Sequence, residues 1–313
     1  MMRRSSSISR LKSSILFTAV LVHISIIYLW LGQMHYSDNP LKKYFRQPSI
    51  YIRLPSQGAW YEPNSIVMPP NGELAVLPMT ANDEITSRTP DALFNGSAVA
   101  DIVGSCIPSI RNPWSIPSID INTILVGIRI ASYGHVMTID SGCPKCGHNH
   151  EYELDLRVIA DNIKCPDYNK KLLVDNLQIS FRPLSYKQIN DSNILQFEDQ
   201  KLMQVINQSD IDSQEKIKTI SDSFKKITKL TMRAISMCVA SIEGQDFKVT
   251  EQNHILEYLE NCHKTNFNLI RDHISELKKI NDFDLLDITC MQCSHQYKQE
   301  FVLDISNFFE TNS

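Results

Sequence analysis

The chain has 313 residues, 42% of them apolar and 21% charged, enough to bury one or two domain cores. Its formal charge of −4 and pI near 6.1 remove the broad positive field that nucleic-acid binders carry. Eight cysteines in so long a chain do not read as a secreted disulfide scaffold, a solution typical of far shorter sequences.

Arg3, Arg4, Arg10 and Lys12 precede an almost uncharged run, Ile15–Leu31. At about 17 residues the run meets the lower limit for a membrane-spanning helix, and the basic flank would hold the N-terminus in the cytoplasm. No small-x-small cleavage site follows Leu31, so a signal peptide fits less well. A third reading makes Met34 the true start and residues 1–33 a hydrophobic extension from a misassigned start. It is the reading adopted here, because the oily run changes abruptly into MHYSDNPLKKYFRQP.

Residues 34–90 read as an extended, proline-rich arm with short strands at Ile50–Arg53 and Glu73–Met79, separated by turn signals at Asn64-Ser65 and Asn71-Gly72. From Pro90 the texture changes. Thr89-Pro90-Asp91 resembles a helix start with proline in the first turn, and the helical stretches Asp91–Phe94 and Ser97–Cys106 follow. Ser118 or Asp120 can cap a helix through Ile121, Leu125, Ile128 and Ala131, which Gly134 ends. Strands are expected at His135–Ile139 and Glu151–Leu156, completing an α/β body over 91–184.

Residues 185–280 read as a helical insertion. Asp212 and Glu215 form a capping-box signature. Ile217, Ile220, Phe224, Ile227, Ala234, Ile235 and Cys238 share one helical face. Thr250 and Thr265 are placed to cap two more helices, with Ile255, Leu259, Leu269 and Leu277 facing inward.

Two knuckles carry the chemistry: CPKCGH at Cys143–His148 and CMQCSH at Cys290–His295, each ahead of a strand-like run (Glu151–Leu156 and Glu300–Ile305). A closed structural zinc site uses four thiolates, and two Cys-x-x-Cys turns supply them. Cys143, Cys146, Cys290 and Cys293 are therefore the expected ligands of one structural Zn2+, closing a loop of roughly 140 residues. Gly147 suits the tight turn around the ion, and Ser294 is its weaker equivalent. A redox dithiol would favour a helix N-terminus, whereas both pairs sit between strand patterns. His148, His150 and His295 could replace a thiolate, but four sulfurs already complete the shell. Cys106, Cys165, Cys238 and Cys262 are scattered singly, the pattern of a reduced compartment.

The sequence holds no GxGxxG, phosphate loop, HExxH or GxSxG. Four thiolates leave no open position for catalytic water, and His135 with Asp140 reads as strand-end polarity, so no catalytic residues and no enzyme are expected. Lys225, Lys226, Lys229, Lys278 and Lys279 are interrupted by acids and lack stacking aromatics, so nucleic acid is not an expected partner. The fold class is α+β: an extended N-terminal arm, a mixed body with a split zinc-ribbon-like site, a helical insertion, and a second cysteine pair over 281–313 that completes the ribbon.

Beyond these patterns, NPLKKYFRQPSIYIRLPS (Asn39–Ser56), LPMTANDEI (Leu77–Ile85), TPDALFNG (Thr89–Gly96), VGSCIPSI (Val103–Ile110), ILVGIRIASYG (Ile124–Gly134) with CPKCGH, and ITCMQCSHQYKQEFVLDISNFF (Ile288–Phe309) run in order along the chain. In these segments the chain resembles the T4-type bacteriophage baseplate protein family, hub or hub-assembly subunits of contractile tails; residues 1–33 depart from the family pattern. The resemblance implies a non-enzymatic protein that binds other baseplate and tail proteins, in the virion tail or the infected-host cytoplasm. Both a virion subunit and a tail-assembly chaperone absent from the finished particle fit, and self-association is left open. A different class, a membrane-anchored zinc-ribbon protein, requires Ile15–Leu31 to be a genuine anchor. The expected partner surfaces are Arg46–Ser56 and Arg129–Gly134.

Overall fold

Two short strands of alternating apolar residues, Ile50–Arg53 (β1) and Glu73–Val76 (β2), pair antiparallel, Ile50 opposite Val76 and Arg53 opposite Glu73. Leu74 and Val76 are fully buried. The computed structural model describes residues 39–89, 95–208, 213–301 and 303. Residues 39–46 belong to a separate unit, with a 3-10 turn at Pro40–Tyr44 that the Asn39 side chain caps by accepting from the Leu41 N–H. The Ile15–Leu31 run, the Asp91–Phe94 stretch and the Asp212 cap lie outside the described residues. Among the described residues, no helix is long and apolar enough to cross a membrane.

Next comes a helix that hydrophobic periodicity had not suggested, Ala81–Ser87 (α1). Thr80 and Asp83 form a capping box at its start. The buried Asp83 carboxylate also accepts from Ser105 Oγ at 3.1 Å, tying α1 to Ser97–Cys106 (α2). The following helix, Ser118–Tyr133 (α3), ends at Gly134 as expected, but Pro117 occupies its cap position. Proline offers no side-chain acceptor, so the helix starts without a side-chain cap, and the Ser118 N–H donates instead to the Leu184 carbonyl at 2.8 Å. Gly127 lets β1 lie on α3, since a Cβ there would come within 2.9 Å of Ile52 Cγ2.

Asp120, expected as a cap, is instead a buried fastener. It accepts from the Ser56 N–H at 2.8 Å, from the Ser56 hydroxyl, and from Tyr61 Oη at 3.1 Å, pinning the loop after β1 to α3. Arg129 corrects a second expectation. It is 5% exposed, lies over the Tyr133 ring at 4.5 Å and offers no partner surface. Its burial follows from packing α3 on nearly all sides, where periodicity alone suggested one buried stripe. Within Arg46–Ser56, Leu54 and Ser56 are buried and Tyr51 is exposed.

Val136–Gly142 (β3) and Asn149–Asp155 (β4) pair in register from Val136–Asp155 to Gly142–Asn149, and Leu156–Asn162 (α4) follows. Then come Leu172–Val174 (β5), Leu177–Phe181 (β6), Tyr186–Gln208 (α5) and Ser213–Cys238 (α6). The expected all-helical stretch 185–280 breaks here. Val239–Glu243 (β7) and Lys248–Val249 (β8) join β5 and β6 in one antiparallel sheet of order β5-β6-β7-β8. Gln252–Asn261 (α7) and Lys264–Asn281 (α8) follow. Glu251 and His263 hold the cap positions given to Thr250 and Thr265; the His263 ring accepts from the Thr265 N–H. Finally Leu286–Thr289 (β9) pairs with Gln296–Gln299 (β10), which ends before the expected Glu300–Ile305 run begins.

Two cores result. One joins β1, β2, α2, α3, Leu154, Leu156, Ile159, Leu286, Ile288 and Phe301. The other joins the four-stranded sheet to Ile235, Ile255, Leu259, Ile270, Ile274 and Leu277. Phe224 and Leu269, expected inside, are 61% and 48% exposed. The second core is built wholly from chain lying between the two knuckles. Its ends close on buried Asn281, whose Nδ2 donates to the carbonyls of Ile119 and Lys164, both at 3.1 Å.

Burial lifts the Asp120 carboxyl to about 6 despite the donors Ser56 and Tyr61, which pull it down. The folded state thus holds this proton more tightly than the unfolded chain. The contribution to stability is complete below the unfolded value of about 4 and is lost as pH rises through about 6. Denaturant melts of wild type and Asp120→Asn should therefore diverge with pH. The wild-type value relative to the variant is expected to fall by on the order of 1–2 kcal/mol between pH 5 and pH 8.

Candidate metal centre

Each knuckle is a loop at the tip of a hairpin, and the two share one backbone design. In the first, the Cys143 N–H donates to the His148 carbonyl at 3.0 Å and the Gly147 N–H to the Cys143 carbonyl at 2.9 Å. In the second, the Cys290 N–H donates to the His295 carbonyl and the Ser294 N–H to the Cys290 carbonyl, both at 2.9 Å. The turn forces a left-handed residue after the second cysteine of each pair: Gly147 at φ +72° and Ser294 at φ +56°. Glycine adopts that region freely, whereas serine carries a steric cost.

The hairpins meet side by side. Buried Ser141, just ahead of the first knuckle, contacts the Tyr297 hydroxyl and donates to Gln299 Oε1 at 2.6 Å. Gln299 Nε2 donates to the Asp140 carbonyl at 3.2 Å. Phe283 and Phe301 pack with ring centroids 5.1 Å apart below the second hairpin. Sequence reading did not single out these bridging residues. Their signal is weak: Ser141, Tyr297 and Gln299 are ordinary members of alternating strands.

This contact brings all four sulfurs within 4.8 Å of one another. Two of the contacts cross between hairpins, Cys143 Sγ to Cys293 Sγ and Cys146 Sγ to Cys290 Sγ, each 3.7 Å. A tetrahedron with metal–sulfur bonds of about 2.3 Å has edges of about 3.8 Å. The spacing and the all-sulfur donor set fit a thiophilic divalent cation such as zinc.

Metal-free, such a cluster resists carrying four negative charges. Burial opposes ionisation of Cys143, but the N–H groups of Cys146 and Lys145 and the neighbouring sulfurs outweigh it and bring the thiol to about 7. At Cys146 the His148 N–H favours the thiolate. Desolvation and the sulfurs of Cys293, Cys143 and Cys290 together oppose it and push the thiol up to about 12. A bound divalent cation would remove that conflict by neutralising adjacent thiolates.

No histidine belongs to this cluster among the described residues. The His148 ring stacks on His150 at 6.0 Å, and His295 stacks on Tyr297 at 6.2 Å. Both His150 ring nitrogens are buried without a hydrogen-bond partner. His135 immediately precedes β3 and Asp140 lies within it, about 16 Å apart along extended chain, and they form no dyad. Lys225 pairs with Asp222 at 3.2 Å on an exposed helix face. Cys106 and Cys238 are buried singly, Cys165 is exposed and Cys262 half-buried.

Fold and cluster together define an α+β protein whose two distant hairpins converge on a four-cysteine, metal-competent centre. The family model described as T4 bacteriophage base plate protein matches residues 66–310. That span takes in both knuckles, the second core and all of the first but its N-terminal part around β1 and Leu54, and the chain belongs to this family, which makes it a structural protein of the phage baseplate. No curated protein and no solved structure matches the chain.

The two left-handed positions give opposite expectations. A Cβ at Gly147 would meet open space, so only the backbone resists substitution there. Gly147→Val is expected to cost roughly 1–2 kcal/mol. Ser294→Gly is expected to stabilise by up to about 1 kcal/mol. Urea denaturation of the metal-loaded protein measures both signs.

Proposed function

We propose that the protein is a structural or assembly subunit of the baseplate hub. In this reading it works by docking against other tail proteins, with one Zn2+ on Cys143, Cys146, Cys290 and Cys293 as a clamp. The supporting observation is the convergence of two like knuckles whose paired cysteines lie 144 to 150 positions apart, in a member of a baseplate family. The parts then divide the work. The N-terminal stretch, with Tyr51 exposed on β1, supplies the surface that meets other tail proteins, the clamp rigidifies the first core, and the segment between the knuckles carries the second core. Binding a structural zinc contributes on the order of 10 kcal/mol, comparable with the whole stability of an ordinary domain. A clamp of that strength holds the two hairpins as one platform while partners bind.

The clamp is tested by Cys290→Ser. Metal content should fall from one ion per chain to none. Amide exchange should rise sharply in β3, β4, β9 and β10 while the β5–β8 sheet keeps its protection. Unchanged exchange in both hairpins would contradict a structural metal. The setting is tested by fractionating infected-cell extracts and purified virions with mass spectrometry of the chain. The expected result is co-migration with baseplate precursors and presence in the finished particle. Recovery only from precursors would favour the assembly-chaperone role, and recovery from membranes the anchored one.

A further inference from the structure

The four sulfurs are not equivalent in exposure, and their pairing follows a pattern. Cys146 is exposed and Cys293 half-exposed, while Cys143 and Cys290 are buried. Each accessible sulfur lies 3.7 Å from a buried sulfur of the other hairpin: Cys146 beside Cys290, and Cys293 beside Cys143. An accessible sulfur in contact with a sheltered one is the arrangement by which peroxide makes a disulfide rather than a dead-end oxyacid.

We infer that the cluster is also an oxidative modification site, at which peroxide converts the four cysteines into two cross-hairpin disulfides, Cys146–Cys290 and Cys143–Cys293. The inference rests on the reading of these residues as a joint between hairpins, and gives that joint a second, covalent form. In the first step the Cys146 sulfur attacks one oxygen of hydrogen peroxide. The O–O bond breaks, hydroxide leaves with the thiol proton as water, and Cys146 becomes a sulfenic acid. The Cys290 thiol then attacks that sulfur, an S–S bond forms, the S–OH bond breaks, and the hydroxyl departs with the Cys290 proton as water. Cys293 and Cys143 repeat the sequence. Each bridge consumes one peroxide, with two thiols oxidised and the peroxide oxygens reduced to the level of water.

The connectivity decides the consequence. Four cysteines allow three pairings. Bridges within each Cys-x-x-Cys would leave the hairpins separate and remove the ligands that join them. Cross-hairpin bridges keep β3–β4 attached to β9–β10 after the thiolates have ceased to be metal donors. A joint made with thiolates in a reducing cytoplasm would then survive transfer to oxidising surroundings, where free thiolates do not persist.

The test uses the full chain treated with hydrogen peroxide, metal-loaded and after chelation by EDTA, with zinc content measured beforehand. Trypsin cuts after Lys145 and cyanogen bromide after Met291, separating all four cysteines, so non-reducing mass spectrometry reads the pairing directly. The expected products link the Cys143 peptide to that of Cys293 and the Cys146 peptide to that of Cys290. Links of Cys143 to Cys146 and Cys290 to Cys293, or sulfinic and sulfonic acids without bridges, would overturn the inference. A protein without zinc that still forms the cross-hairpin bridges would sustain it while refuting the metal clamp. A zinc-loaded protein that forms only bridges within each pair would do the reverse.

Discussion

Four sulfurs drawn from two hairpins within 4.8 Å are the constraint on which the architecture turns. Thiolates so close repel, and burial of Cys143 and Cys290 denies them the screening of water. The arrangement is favourable only where a cation or a covalent bond offsets that repulsion. The hairpins also touch through Ser141, Tyr297 and Gln299, a few hydrogen bonds individually worth about 1 kcal/mol. They set the angle of approach, and in the proposed clamp a bound ion would supply the strength.

That joint explains how a long stretch of chain can be carried without disrupting the first core. The segment between the knuckles leaves from β4 and α4 and returns at β9, with its own sheet and apolar cluster. Asn281 gathers the carbonyls of Ile119 and Lys164 where the segment departs and returns. Asp120 plays the corresponding part within the first core, holding Ser56 and Tyr61. Buried polar fasteners of this kind fix one arrangement among the many that apolar packing alone would allow.

The knuckles were legible because their spacing is short and chemically constrained, and the left-handed turn after each pair was foreshadowed by Gly147. Helices α2 and α3 and strand β1 followed from periodicity with little error. Strand β7 did not, for a definite reason: Ile235, Cys238, Val239 and Ile242 continue at helical intervals, so α6 seemed to run on where the chain in fact enters the sheet. The density of β-branched residues and the turn at Gly244-Gln245-Asp246 held the contrary signal. Arg129 was misread because a charged residue on an apolar helix suggests an exposed edge, while here it is buried over the Tyr133 ring with Nε and one terminal nitrogen lacking a hydrogen-bond partner. The roles of Ser141 and Asp120 depend on partners remote in sequence, and nothing local announces them.

Zinc K-edge X-ray absorption on the purified chain, with metal stoichiometry measured on the same sample, bears most directly on the shared centre. One ion per chain with four sulfur neighbours at about 2.3 Å is the predicted result. An ion held by nitrogen or oxygen donors, two ions each on a separate pair, or no bound metal would contradict it.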